Sequence, residues 1–319
     1  MIVRFGYVAM STMLENASPS HTMTATQFEK LEDREAGLRK LLRIGEQNLG
    51  NCMRLLKHNL AYDISFFRLS SKLVPLVNHP LTEGWRWDRE LLPVLREAGE
   101  LINVHGMRVD FHPDHFVVLN TGDHAIFKRS LNTLLYHYKL LKGMGQSTRH
   151  RCVLHIGGKK QGVETGLETF IERFQEIPTS LSQMLMVEND DKNYTINDAL
   201  YLGEKLEIPI VFDLHHHDVH GQTEIADFWG RVVQTWETSA LPMKMHISSP
   251  KAAPLDRNHA DYIDANRFLR FLKEVNGSVK QLDVMIEAKQ KDAALVQLMT
   301  DLEKDMGIKR HNQSTIELP

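Results

Sequence analysis

Residues 208–216 read Ile208-Pro209-Ile210-Val211-Phe212-Asp213-Leu214-His215-His216. A proline is tolerated at the opening of a strand, and the β-branched and aromatic run after it suits a short buried strand. That strand ends on a carboxylate, with an imidazole three residues beyond. The same arrangement recurs in both directions along the chain. Toward the N-terminus, Met184–Val187 leads into Glu188, Arg151–Ile156 contains His155, and Met107–Phe111 runs into His112. Toward the C-terminus, Met243–Ile247 contains His246, and Leu282–Ile286 runs into Glu287. Ser65–Leu69 and Ile2–Val8 complete the strand set.

Helical patterns fill the intervals. In the one from about Asp33 to Lys57, Leu38, Leu41, Leu42, Leu49, Met53 and Leu56 fall at three- and four-residue steps on one face. Further helices are expected over about 88–104, 123–144, 163–174, 196–206, 224–237, 261–275 and 291–304. Strands alternating with helices build a parallel sheet, and about eight such units predict closure into a single (β/α)8 TIM barrel spanning residues 1–319. The other reading is an open doubly wound sheet, but no G-x-G-x-x-G follows the first strand. A short polar tail after about Met306 is expected to be peripheral.

Composition narrows the function classes. The chain has 42% hydrophobic and 25% charged residues and a formal net charge of −3, the balance of a globular protein rather than a nonspecific polycation. No apolar run is long enough to span a bilayer, and the apolar start is interrupted by Arg4, unlike a signal peptide. Cys52 and Cys152 are far apart and are expected to be buried free thiols of a cytoplasmic protein. No membrane and no obligate protein partner is expected.

In a barrel of this kind chemistry sits at the C-terminal ends of the strands. His112, His155, Glu188, Asp213, His246 and Glu287 end six successive strands, with His216 and His259 in the loops that follow. One strand-end histidine means little, whereas six in succession point to a site for several metal ions. Imidazoles with about three carboxylates and no thiolate suit Mn²⁺, Zn²⁺ or Fe²⁺ better than Ca²⁺ or Mg²⁺. Of the run His215-His216-His217-Asp218, only His216 is expected to reach the site; His215, His217 and His220 are expected in the solvated loop. Gly157-Gly158-Lys159-Lys160 reads either as a phosphate-contacting nest or as an ordinary turn. Lys244 lies two residues before His246 and so shares its side of the strand, where burial would depress its pKa; otherwise it is a surface lysine.

The motifs F-R-L-S-S-K-L-V-P-L-V-N-H-P, D-F-H-P-D-H-F, H-I-G-G, V-E-N-D-D, V-F-D-L-H-H, K-M-H-I-S-S-P, N-H-A-D-Y and M-I-E-A-K-Q-K-D occur in an order that resembles the UV damage endonucleases across nearly the whole chain. That resemblance implies a TIM barrel related to the endonuclease IV group. It also implies up to three divalent ions, usually manganese, held by His79, His112, His155, Glu188, Asp213, His216, His246, His259 and Glu287. His79 is added by the resemblance alone. Lys244 is then placed beside the cluster as a catalytic residue with Glu287 and Tyr7. The implied activity is metal-dependent incision of UV-damaged double-stranded DNA immediately 5′ of a photoproduct, which initiates an alternative excision repair. Tyr7, His115, Phe116, Gly157, Gly158, Lys159, Lys160 and Arg68 become candidate contacts to DNA or lesion, with aromatic packing in the barrel mouth as the other reading of Tyr7 and Phe116.

Two positions depart from the family pattern. Met10 stands where relatives often carry Asn, and the loop His112-Pro113-Asp114-His115-Phe116 has His115 where they carry Gln. A metal-dependent sugar isomerase or epimerase on a related barrel and a lesion-binding module without catalysis are the rival readings.

Overall fold

The computed structural model describes residues 1–221, 223–304 and 307–319. Eight parallel strands follow the order expected of a barrel: β1 (Ile2–Val8), β2 (Phe66–Arg68), β3 (Arg108–Asp110), β4 (Cys152–His155), β5 (Leu185–Glu188), β6 (Ile210–Asp213), β7 (Met243–Ile247) and β8 (Gln281–Ile286). β8 pairs with β1, and each other strand pairs with its neighbour in sequence except β3 and β4. There the ring is closed by one bridge, in which the Phe111 amide donates to Arg151 at 2.8 Å and the Val153 amide donates to Phe111 at 3.0 Å. Between the strands run α1 (Arg34–Ala61), α2 (Leu92–Val104), α3 (His124–Gly143), α4 (Val163–Glu176), α5 (Ile196–Leu206), α6 (Ile225–Thr235), α7 (Ala265–Val275) and α8 (Lys291–Leu302). Among the described residues, no helix is long and apolar enough to cross a membrane. Both cysteines are buried free thiols.

Local chemistry sets these boundaries. The Asp33, Asp123 and Asp264 side chains cap α1, α3 and α7 by accepting from first-turn amides. Gly6 is required on β1 because a Cβ there would lie 2.1 Å from the Phe66 carbonyl oxygen. The strand side chains divide by parity. Phe5 meets Phe268 of α7 at 5.9 Å between ring centroids, and Phe212 meets Phe228, Trp229 and Phe271 at 5.3–5.9 Å, so these rings face the helices. The opposite parity faces the barrel axis and is unusually charged. Arg4 and Arg108 both pair with Asp283, Arg108 at 2.7 Å, and Lys244 pairs with Asp110 at 2.6 Å. Arg4, Arg108 and Lys244 surround the Phe66 ring at 5.1–5.9 Å from its centroid. A TIM-barrel interior is ordinarily layered with branched apolar residues.

The tail does not stay peripheral. Met306 itself lies outside the described residues, but β9 (Lys309–Asn312) and β10 (Thr315–Glu317) form a hairpin, and β10 pairs antiparallel with the first half of β1, Val3 opposite Ile316. Ile316 and Leu318 are buried, and the Ser314 hydroxyl donates to the Asp63 carbonyl at 2.6 Å. The alternation of Thr315-Ile316-Glu317-Leu318 puts its two apolar residues on the core side. Ile316→Ala is therefore expected to cost about 2–5 kcal/mol, read as a lowered denaturant midpoint. Leu255→Ala, at an exposed side chain, should stay within about 0.5 kcal/mol. Equal midpoints for the two variants would show that the hairpin does not close the fold.

Candidate metal centre

The strand ends gather the expected ligands around Glu188. Its Oε1 lies 2.6 Å from His112 Nε2 and 3.2 Å from His155 Nε2, and its Oε2 lies 2.5 Å from His246 Nδ1. Burial opposes ionisation of this carboxyl, yet His112, His155 and His246 hold it well below the usual carboxylate range. Beside it, Asp213 caps the short helix Leu214–His220 by accepting from the His216 amide at 2.8 Å. That cap turns the His216 ring back over the site. His216 Nδ1 donates to the Asn189 carbonyl at 2.9 Å, which leaves Nε2 as the ring nitrogen an ion could take once its proton is released. His259 is oriented in the same way by donating from Nδ1 to the Glu287 carbonyl at 2.9 Å.

Three overlapping groups of donors result: His112, His155 and Glu188; His112, His246 and Glu287; and Glu188, Asp213 and His216. Within each, the ligand atoms lie within 4.8 Å of one another. Asp213 Oδ2 is buried with no hydrogen-bond donor among the described residues, and Glu287 Oε1 is met by the Arg68 guanidinium at 2.6 Å. Burial pushes the Asp213 carboxyl up to about 6, with His216 opposing. Burial works against a charged His216, which Asp213 and Glu188 push up to about 9. A buried carboxylate oxygen left without a donor, at the meeting point of imidazoles and carboxylates, is the chemistry of a divalent-ion site, and the donor set fits it.

The cluster opens into a cleft of about 450 Å³ lined by His155, His216, His259 and Glu287 below, with His115, Gly157, Gly158, Lys192 and Arg257 toward the rim. Gly157 has φ +122°, and its Cβ would collide with Asn120 Oδ1 at 2.1 Å. Asn120 Nδ2 and the Tyr194 hydroxyl both donate to the Gly158 carbonyl, at 2.7 and 3.0 Å, pinning the loop. Lys159 and Lys160 follow on the exposed side. Phe116 stands 65% exposed beside His115.

Other candidates fall elsewhere. Tyr7 has the outward parity of Phe5: it is fully buried, packs on Phe67 and donates to Asn59 Oδ1 at 2.6 Å, away from the cleft. Arg68 is buried in the barrel, with Nη1 2.6 Å from Glu287 Oε1 and Nη2 2.7 Å from His246 Nε2. His79 is not among the three donor groups; its Nδ1 accepts from the Leu81 amide at 3.2 Å, and it borders a separate cleft with Trp85 and Lys139. His215 and His217 are buried on the short helix rather than solvated. Lys244 has the predicted parity and lies fully buried on Asp110, where burial pushes it down to about 8 against the pull of that carboxylate.

Two site residues escaped the sequence reading. Asp110 stands two residues before His112, as Lys244 stands before His246, so the same parity argument finds it. Asn189 locks β5 to β6, accepting from the Asp213 amide at 2.9 Å and donating to the Asp213 carbonyl at 3.0 Å; its position beside Glu188 was its only signal.

The chain is 62% identical to a UV DNA damage endonuclease of Halalkalibacterium halodurans over 319 residues, covering 99% of each. A crystal structure of SacUVDE superposes with a TM-score of 0.82 at 29% identity, covering 95% of this chain and all of that one. A 3-keto-D-glucoside 4-epimerase of E. coli shares the fold alone, with a TM-score of 0.53 at 10% identity over 95% of this chain and all of that one. The family model for UV-endonuclease UvdE matches residues 3–318, so the chain belongs to that family.

Proposed function

We propose that this protein is a metal-dependent endonuclease that hydrolyses the phosphodiester immediately 5′ of UV photoproducts in double-stranded DNA. The observation that carries the reading is the Glu188 hub, one buried carboxylate reached by three imidazoles at the mouth of a barrel whose relatives are named UV DNA damage endonucleases. His112, His155, Glu188, Asp213, His216, His246 and Glu287 would hold up to three ions, with His259 beside them at the floor of the cleft; the nitrogen and oxygen donors favour Mn²⁺, with Zn²⁺ or Fe²⁺ also suited. When bound, such ions polarise a phosphodiester and activate water for its hydrolysis.

The protein's own residues supply the rest. The Asn189 and Glu287 carbonyls fix the His216 and His259 rings, so both present Nε2 to the cleft without a search over tautomers. Lys159, Lys160, Lys192 and Arg257 carry the positive charge at the rim and are placed to bind backbone phosphates, which makes binding salt-dependent. Phe116, solvent-exposed on the loop that begins at His112, is available to stack on bases displaced around a poorly stacked photoproduct. His115 beside it replaces an amide with an imidazole. Lys244 touches Asp110 rather than the cleft, so its role is positioning.

Loss of an outer-shell partner typically costs 10–100-fold in metal affinity or activity, so loss of a direct donor should cost more. Glu287→Gln is expected to lower nicking of an irradiated, end-labelled duplex by more than about 100-fold while DNA retention persists. Normal turnover in buffer of controlled Mn²⁺ content would overturn the assignment. Base stacking on an aromatic side chain is worth about 1–3 kcal/mol. Phe116→Ala should therefore reduce the preference for damaged over intact duplex about tenfold in a competition assay. An unchanged preference would remove Phe116 from lesion recognition.

A further inference from the structure

The contact between Arg68 and His246 has a chemical consequence for metal loading. A neutral imidazole carries one N–H and one lone pair, and a guanidinium only donates. Arg68 Nη2, 2.7 Å from His246 Nε2, therefore uses the lone pair on Nε2. The ring proton is then on Nδ1, which donates to Glu188 Oε2 at 2.5 Å. A metal ion would need that same lone pair. Bound at Nε2, it takes the place of the guanidinium. Bound at Nδ1, it leaves the proton on Nε2, facing the N–H of Arg68 with no acceptor between them. On either route the Arg68–His246 hydrogen bond and ligation by His246 exclude one another.

Arg68 also holds Glu287, through Nη1 at 2.6 Å. Its two partners are thus two of the three donors in the group His112, His246 and Glu287. Two buried atoms indicate where the guanidinium goes. Arg68 Nε has no acceptor and Asp110 Oδ1 has no donor among the described residues. These residues sit opposite one another in the β2–β3 register, while Lys244 occupies the other carboxylate oxygen, Oδ2, at 2.6 Å.

We propose that Arg68 is a built-in placeholder cation: in the metal-free protein it occupies the ligand faces of His246 and Glu287, and a divalent ion entering that group displaces it toward Asp110. The inference rests on reading the cluster as a metal centre. The placeholder neutralises the cluster before metal arrives, and it makes this group the weakest of the three for metal, because binding there must first break two buried contacts.

The test uses the full chain stripped of metal and titrated with Zn²⁺, which is diamagnetic. In ¹⁵N spectra of the wild type, His246 should begin as the Nδ1–H form bonded to Arg68 at Nε2, and the signals of both Arg68 and His246 should change together in one late binding step. Isothermal titration of Arg68→Gln should show that step tightened at least tenfold, with the number of ions unchanged. Zn²⁺ binding that leaves the Arg68–His246 hydrogen bond in place would overturn the exchange, as would an equal or weaker late step in Arg68→Gln. The spectra need no variant, so they decide the matter even if Arg68→Gln does not fold. Failure of the wild type to bind any divalent ion would instead overturn the metal centre itself.

Discussion

Three carboxylates, Glu188, Asp213 and Glu287, must remain together at the end of a closed barrel, and much of the interior is arranged around that constraint. Like charges at this separation raise one another's pKa, and burial adds to the effect. Asp213 shows the less relieved case, its carboxyl displaced upward by burial although His216 opposes the shift. Glu188 and Glu287 show the relieved case. Burial opposes their charge, but three imidazoles around Glu188, and Arg68 with His246 beside Glu287, keep both well below the usual range. The site is therefore a compensated charge cluster. It explains why removal of one partner has a different meaning from removal of a pair: the group left behind is a buried charge without compensation.

The charges beneath the cluster continue the same logic. Arg4 and Arg108 on Asp283, and Lys244 on Asp110, fill axis positions that a barrel usually gives to Val, Ile or Leu. An apolar layer there would pack well but would accept several side-chain arrangements. The planar Arg4 guanidinium, donating from both Nε and Nη2 to the two oxygens of Asp283, accepts one. Orientation passes upward by contact. Lys244 holds Asp110, the backbone register of β2 and β3 sets Arg68 opposite Asp110, and Arg68 reaches the candidate ligands His246 and Glu287.

The sequence carried the parts of this that depend on periodicity. A short strand ending on His, Asp or Glu, repeated around the chain, located the Glu188 hub and its neighbours because strand order and strand end fix where such side chains meet. Parity placed Lys244 correctly. The residues found away from their expected positions have physical reasons for it as well. Tyr7 shares the parity of Val3 and Phe5, which pack outward, and the motif resemblance prevailed over that evidence. The burial of Arg68 could not be read from sequence, because a buried arginine is uncommon and its partners lie 178 and 219 positions away. His79 sits beyond a strand end in a loop closed by its own helical cap, where no period constrains direction. The tail hid its alternation of Ile316 and Leu318 inside a polar composition.

The rim obeys different rules from the cluster. Its candidate recognition residues sit on βα loops, where side chains vary without disturbing the scaffold. The loop after β1 shows how that separation is built. Asp292 at the start of α8 accepts from the Thr12 amide at 2.9 Å and from the Ser11 hydroxyl, and His58 of α1 lies 2.9 Å from the same carboxylate. The loop is thus tied to Asp292 through the Thr12 amide and the Ser11 hydroxyl, while Met10 and Met13 remain exposed at its surface. Met10 therefore presents a polarizable apolar side chain from a loop whose position Asp292 fixes. His115 makes the equivalent change on the loop after β3, beside an aromatic ring held out in solvent. Both departures from the family pattern thus fall on exposed side chains, outside the donor groups, so differences in lesion range can arise here without any cost to the buried charge balance that the chemistry requires.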